Sequence, residues 1–530
     1  MYDIIIIGGG VIGSCLAYEL SRYQLSVLLL EKENDVSLGA SRANTAIIHG
    51  GYDPEPGTLM AETNVRGARL CMERAETLDI EFQKTGSLLV AFDADDEKTL
   101  QRQYIKGLRN GVQGLEIWPG ERAREREPRL STQIRAALWI PESGVINPWE
   151  LTLAHAEVAV REGVELRLQQ EVQAIEATWR GYRVHSQDTC YEARYVVNAA
   201  GLGAEKIHNM VAAPAFHLEP TRGQYYLLDR SVGEIVRTVI FPCPTSRGKG
   251  ILVSPTVHGN ILLGPDAERV ADADDTATTA AGLARVAEEA RRSVPDLDIR
   301  ANIRNYAGVR PNSDYGDFFV RFAAPHFLDM AAIKSPGLTS APALAQDAVR
   351  LLMEDGLQAE RKAPEAWNGR RRVVRFKDIP EAERAAFVAR NPDYGRVICR
   401  CETITEGEIL AAFRRGLPVL SVDAVKRRTG SGMGRCQGGF CGPRILEILA
   451  RENHVPPEVV TQDRVGSYIL TGPLPGAGRA ADDACRRLCG ESDCRAWRPA
   501  AAETAVSAPH SQQPRQDCRA QQGKGRAEHV

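Results

Sequence analysis

The 530-residue chain is 43% hydrophobic and 25% charged with a formal net charge of -3, an ordinary globular balance with room for two to four domains. That charge gives no broad basic field for nucleic acid, and no apolar run approaches the ~20 residues that span a bilayer. The N-terminus, "MYDIIIIGGG", has no positive segment or cleavage site before its first strand, so a cytoplasmic protein is expected, with any membrane attachment peripheral and at the inner face.

Residues 2–7 form an unbroken apolar run, as a parallel strand buried on both faces requires. Gly8, Gly10 and Gly13 follow it as G-x-G-x-x-G. The first permits a tight turn, the second lets a pyrophosphate approach the backbone, and the third lets helix and strand pack closely. A helix opening at Val11 aims its free N–H groups at the phosphates. A second strand ends at Glu31, placed to accept hydrogen bonds from ribose hydroxyls. This is a dinucleotide site; the acid at 31 alone does not separate NAD from FAD.

The stretch "LGASRANTAIIHGGYDPEPGTL" (38–59) resembles the D-amino-acid-oxidase-like family of FAD-dependent oxidoreductases. So do "ARYVVNAAGLGAEKI" (193–207) and "AAIKSPGLTSAPALAQDAV" (331–349). The resemblance implies that Ser41, Asn44 and His49 lie near the diphosphate and flavin. It puts Val172 by the adenine, Gly201 at a second FAD contact, and Gly337, Leu338 and Thr339 where a helix N-terminus faces the flavin edge. The implied fold is α/β: a Rossmann-like FAD-binding domain interleaved with a mixed-sheet substrate domain over residues 1–355, plus a small helical module.

Oxidation of a C–H bond by flavin needs a base and a substrate anchor. His49 is the leading base, with a purely orienting role as the alternative. His258 in "TVHGN" is a weaker second candidate, with a strand-end turn residue as the favoured alternative. Arg310 in "AGVRP" suits a two-pronged grip on carboxylate or phosphate, against the alternative of a surface ion pair. Arg222 and Tyr225 are further candidates for the same cavity, with a purely structural role as the favoured alternative.

The layout resembles the A subunit of anaerobic glycerol-3-phosphate dehydrogenases, yet Asp53 and Gly337 stand where those enzymes carry positive residues. The segments around 44–92 look closer to L-2-hydroxyglutarate oxidases, and Lys334 is a nearby source of replacement charge. A small anionic 2-hydroxy acid or a polyol phosphate such as glycerol 3-phosphate is therefore expected, the Asp53 and Gly337 positions leaning toward the acid without deciding between them.

After a charged, proline-bearing linker (356–394) come Cys399, Cys401, Cys436 and Cys441, as C-x-C, a gap of 34 residues, then C-x4-C. Four thiols beside short helices suit zinc or an iron–sulfur cluster, and spacing leaves both open. "CRCETITEGEI" and "TGSGMGRCQGGFCGPR" resemble the bacterioferritin-associated-ferredoxin-like domain, which implies a 2Fe–2S cluster on these four cysteines within residues 395–466. Arg396, Arg400, Lys426, Arg427, Arg428, Arg435 and Arg444 are read as offsetting the cluster's charge or as a solvated basic face. The tail from 467 is expected to be disordered, with only a weak metal-binding pattern at Cys485, Cys489 and Cys494.

The combined expectation is an FAD-dependent dehydrogenase that passes electrons through 2Fe–2S to an acceptor protein or a membrane-anchoring subunit. An amine or imino-acid oxidoreductase, or a non-catalytic electron-transfer subunit, are the alternatives.

Overall fold

The computed structural model describes residues 1–187, 189–244 and 250–472; the tail cysteines at 485, 489 and 494 lie outside the described residues. Strand Tyr2–Ile7 places four buried isoleucines, Ile4 to Ile7, at the middle of an eight-stranded sheet. It pairs in parallel with Val27–Leu30 on one side and Thr189–Asn198 on the other. Glu165–Arg167 and Phe327–Ala331 extend the parallel array outward. The register aligns Ile7 with Leu30 and with Asn198, and Asn198 with Asp329. Four carboxyl ends therefore open along one edge, where open α/β sheets bind ligands.

Helices Val11–Leu20, Leu59–Thr77, Pro148–Arg161 and Gly337–Glu354 share an apolar core with this sheet. Two glycines allow the closest approaches. A Cβ on Gly13 would stand 2.0 Å from the Gly8 carbonyl oxygen, and one on Gly67 would stand 2.2 Å from the Thr339 carbonyl oxygen. Each substitution would drive carbon into backbone that has no free direction to move.

The chain leaves this sheet and returns to it, depositing a second, nine-stranded mixed sheet on the way. Its long antiparallel pair, Leu218–Leu228 with Asn302–Ser313, sets Thr221 opposite Arg310 and Gly223 opposite Gly308. Strand Val239–Pro242 runs parallel to Ser87–Ala91, while neighbouring pairs are antiparallel. The expected interleaved α/β architecture with a mixed sheet is what forms. Among the described residues no helix is long and apolar enough to cross a membrane.

The cysteine-bearing module is a short hairpin, Val397–Cys399 with Ile404–Thr405, followed by helices Glu406–Phe413, Val422–Thr429 and Gly442–Asn453. Thr405 and Glu408 close a reciprocal cap on the first helix. The three helices enclose a small core of their own that includes Ile409, Val425, Ile445 and Leu449.

The expected linker is not a loose tether. Arg371 is buried, with its Nε 2.6 Å from Glu157, and Arg375 bonds Glu150 at 2.9 Å and Asp79 at 3.0 Å. The Trp367 indole donates to Ser21 Oγ at 3.1 Å. These linker arginines are turned inward because the oxidoreductase surface carries matching buried carboxylates, Glu150 and Glu157.

Candidate active site

A cavity of about 1370 Å³ opens at the carboxyl edge of the parallel sheet and runs to the mixed sheet. At its nucleotide end Gly8 takes φ of +108°, and a Cβ there would lie 2.5 Å from the Ala199 carbonyl oxygen. The turn therefore brings two backbone segments together at the phosphate end of the crevice. Ser41 Oγ accepts from the N–H of Val11 at 2.9 Å, which pins the following loop over the helix N-terminus. Glu31 Oε2 accepts from Gly9 N–H at 2.7 Å and Oε1 from Glu33 N–H at 3.0 Å. Burial pushes its carboxyl above the ordinary range.

The residues expected to hold FAD gather here with two exceptions. Gly8, Gly10, Glu31, Ser41, Asn44, Val172, Gly201, Gly337 and Leu338 all line the cavity. Gly13 lies behind it as the helix–strand contact. Thr339 is also behind it: its Oγ1 accepts from His49 N–H at 3.0 Å and lies 3.4 Å from the Ile47 carbonyl oxygen. Asn44 spends its amide on its own turn, donating to Ala40 and Ser41 carbonyls and accepting from Ala46 N–H at 2.8 Å.

His49 lines the same cavity deeper in, with its ring 5.9 Å from that of Phe241. Its backbone is held from two sides, by Thr339 and by Asn64, whose amide donates to the His49 carbonyl at 2.7 Å. Arg310 reaches the cavity from the long antiparallel pair and donates from Nη2 to the Asp266 carbonyl at 2.6 Å. Gly223 makes room for it, since a Cβ there would stand 2.6 Å from that same Nη2. Tyr225 is on the wall, stacked on Tyr306 at 4.7 Å.

Two candidate roles fall, and the structural alternatives favoured for both residues stand. His258 is not in this cavity; it lies 3.5 Å from Glu81 in a small separate pocket against the cysteine module, and burial lowers its basicity. Arg222 is also elsewhere, bonded to Asp275 at 2.7 Å and Glu268 at 2.8 Å. Arg222 is on strand Leu218–Leu228, where a one-residue step changes the face a side chain serves. His258 is in the turn between strands Leu252–Pro255 and Ile261–Gly264, whose direction the sequence does not fix.

The charge inventory of the cavity is wider than the sequence suggested. Asp53 is on its wall, but so are Lys334, Arg285, Arg292 and Lys206. A Cβ at Gly337 would meet Ile333 Cγ2 at 2.6 Å, so this turn has little space for a side chain. Carboxylates line the cavity too, among them Glu55, Glu171, Asp266 and Glu289, with Lys206 bonded to Glu171 at 3.0 Å and Arg285 3.4 Å from Asp266, so the wall is of mixed charge. Arg285 and Arg292 are seven apart on helix Ala280–Ser293 and share a face, a spacing that was legible.

In the cysteine module Cys399 and Cys441 are buried and Cys401 and Cys436 are exposed. The Cys399 and Cys401 sulfurs are 3.8 Å apart and those of Cys401 and Cys436 are 3.9 Å apart. Two thiolates ~2.3 Å from one tetrahedral metal would stand ~3.8 Å apart, so the spacing fits shared metal ligation. The Phe440 N–H holds the Cys436 thiol below its ordinary range, and a hydrogen bond from Cys399 does the same for Cys441. Cys399 is pushed the other way by its hydrogen bond with Cys441, and Cys401 by burial, so a metal would have to hold these two as thiolates against their surroundings. Lys426, Arg427 and Arg428, expected beside the cluster, are instead buried. Asp35 receives Arg427 Nη2 at 2.8 Å and Arg428 Nη1 at 2.7 Å.

Residues 3–351 match the FAD dependent oxidoreductase family, and residues 397–451 match the BFD-like [2Fe-2S] binding domain. The chain is 48% identical over 476 residues to a glycerol 3-phosphate dehydrogenase of Caloramator mitchellensis, covering 89% of this chain and 99% of that one. A structure of dithionite-reduced L-alpha-glycerophosphate oxidase from Mycoplasma pneumoniae with FAD bound superimposes with a TM-score of 0.66 at 32% identity. It covers 71% of this chain and 99% of its own. The human mitochondrial L-2-hydroxyglutarate dehydrogenase is 31% identical over 283 residues, covering 50% of this chain and 61% of its own.

Proposed function

The chain belongs to the FAD dependent oxidoreductase family and carries a 2Fe–2S domain, and from that premise we propose that it oxidises glycerol 3-phosphate at its secondary hydroxyl and exports the electrons to a separate acceptor. The observation that carries the substrate assignment is the 48% identity to a glycerol 3-phosphate dehydrogenase along 476 residues. A span of that length includes the cysteine module as well as the flavin domain. It outweighs the preference for a 2-hydroxy acid drawn from Asp53 and Gly337.

Bound FAD supplies a hydride acceptor and the 2Fe–2S cluster a one-electron outlet, held by Gly8, Gly10, Glu31 and Ser41 and by the four cysteines respectively. His49 takes the hydroxyl proton on an imidazole nitrogen as the substrate carbon loses its hydride, leaving a ketone. Its fixed backbone keeps the ring at one place in the cavity. Arg310 holds the phosphate with the donors that Asp266 leaves unused, and Lys334 adds charge on the same wall. An acceptor protein or a membrane-anchoring subunit would take the electrons at the exposed side of Cys401 and Cys436.

Anaerobic mixing with a substrate panel tests this reading. Glycerol 3-phosphate is expected to bleach the flavin, and L-2-hydroxyglutarate and glycine to leave it oxidised. Bleaching by the hydroxy acid alone would return the substrate to that class. Bleaching by the amine alone would make the protein an amine oxidoreductase, and bleaching by none would make it a relay subunit. His49→Ala should lower kcat/KM by ~10²–10⁴-fold.

A further inference from the structure

The segment that follows the last helix of the cysteine module is tied back onto that module. Val422 N–H donates to the Thr461 carbonyl at 3.1 Å and Asp423 N–H to the Gln462 carbonyl at 2.8 Å. From there the chain turns toward the flavin domain. Asp463 bonds Arg427 at 2.8 Å and also Arg42, and its carbonyl accepts from Asn34 at 2.8 Å. The next residue, Arg464, lines the large cavity.

Arg464 sits at the nucleotide end. Its Nη2 donates to the Leu38 carbonyl at 3.1 Å, and its nearest carboxylates are Glu33 at 3.6 Å and Asp274 at 3.7 Å. The Nε atom is buried and makes no hydrogen bond within the protein. Glu33 is two residues past the ribose-side acid Glu31, and Leu38 opens the loop that Ser41 pins over the helix N-terminus. Acidic side chains surround a place where a diphosphate has to lie, and Arg42 beside it is already occupied by Asp463. Its Nε faces Glu33 at 3.6 Å and its Nη1 faces Asp274 at 3.7 Å, both too long for hydrogen bonds, so the Arg464 guanidinium offsets that repulsion and keeps donors suited to phosphate oxygens.

We propose that Arg464, delivered by the iron–sulfur module, binds the ribose–diphosphate part of FAD, so that the module forms one wall of the flavin site. The inference rests on FAD as the cofactor, and it adds a ligand that lies outside the flavin domain. Flavin retention and module docking are then linked, since whatever binds the docked form alone stabilises docking.

The test uses the full-length holoprotein. FAD release after dilution is followed by free-flavin fluorescence, and iron content is measured on the same samples. Arg464→Ala is expected to release FAD ~10- to 100-fold faster, the range for losing one charge-assisted hydrogen bond, with iron content unchanged. Arg464→Lys should fall between the two. Asp274→Asn should release FAD no faster than the parent. Unchanged release in Arg464→Ala would overturn the proposal. So would equal acceleration in Asp274→Asn, or joint loss of iron and flavin in both Arg464 variants, since each means that Arg464 is only a strut between domains.

Discussion

The nucleotide crevice and the seam between the flavin domain and the cysteine module are built from opposite materials. The crevice is largely backbone: glycines without side chains, a helix N-terminus and aligned strand ends. The seam is side-chain charge removed from water. Asp35 is held by Arg427 and Arg428, Glu157 by Arg371 and Arg415, and Glu150 by Arg371 and Arg375, and all of these except the partly buried Arg375 and Arg415 are under 10% exposed. A backbone site tolerates change in its surroundings but not an added carbon. A seam of buried ion pairs tolerates volume changes better than an unmatched charge. The first arrangement fixes a ligand; the second fixes which surface meets which, with little net gain over an apolar contact.

Substitutions can break this contrast from either side. Gly13→Ala forces a carbon to within 2.0 Å of a carbonyl oxygen, and flavin content in the purified protein should fall below about a tenth of stoichiometric. Iron content should survive, because the module has its own core. Retained flavin would show that the crevice is softer than its geometry.

Asp35→Ala attacks the seam and leaves two buried guanidinium groups without their shared partner. Breaking a buried pair in this way costs ~3–5 kcal/mol. Limited proteolysis should then cut between residues 378 and 397, with flavin still bound at the outset. Protection equal to the parent's would mean that the seam's charges are solvated in practice.

Acid sharpens the same contrast. Burial alone would raise the carboxyl of Asp35, but Arg428 and Arg427 more than offset it and hold it below its ordinary value. Glu157 and Asp463 are lowered on the same balance, by Arg371 and by Arg427. Carboxyls depressed in the folded state contribute stability that is full above their unfolded pKa of ~4 and is lost as pH falls through the folded value. Protease sensitivity of the seam should therefore rise only below about pH 4, and Asp35→Asn should flatten that dependence.

The smallest effect is expected at His258. It stands at the seam beside Glu81 and outside the flavin cavity, so His258→Asn should leave kcat within about twofold of the parent, as for a group with no part in proton transfer. A fall of ~10²-fold would restore it as a base and remove His49 from that role.

Much of the crevice was legible because its determinants are local. The isoleucine run, the glycine spacing and Glu31 lie within thirty residues, and the parallel sheet puts them at one edge. Gly13 and Thr339 were recognised as belonging to the motif, yet their position behind the cavity wall depends on which neighbour each one packs against. Arg222 could not be placed for a similar reason, since strand faces cannot be assigned without the register, and His258 because it sits in a turn between two strands.

Local spacing and residue chemistry by themselves determined a dinucleotide crevice and a four-cysteine set suited to a metal, since backbone turns and metal ligands demand particular residues at short range, while the choice of FAD and of 2Fe–2S came from the family resemblance. Only the tertiary structure decided where the arginines go. An arginine in a charged stretch looks the same whether it meets water, Asp35 or a diphosphate. The partner that distinguishes these fates is hundreds of residues away, and burial of the pair is a property of the docked surfaces rather than of either sequence.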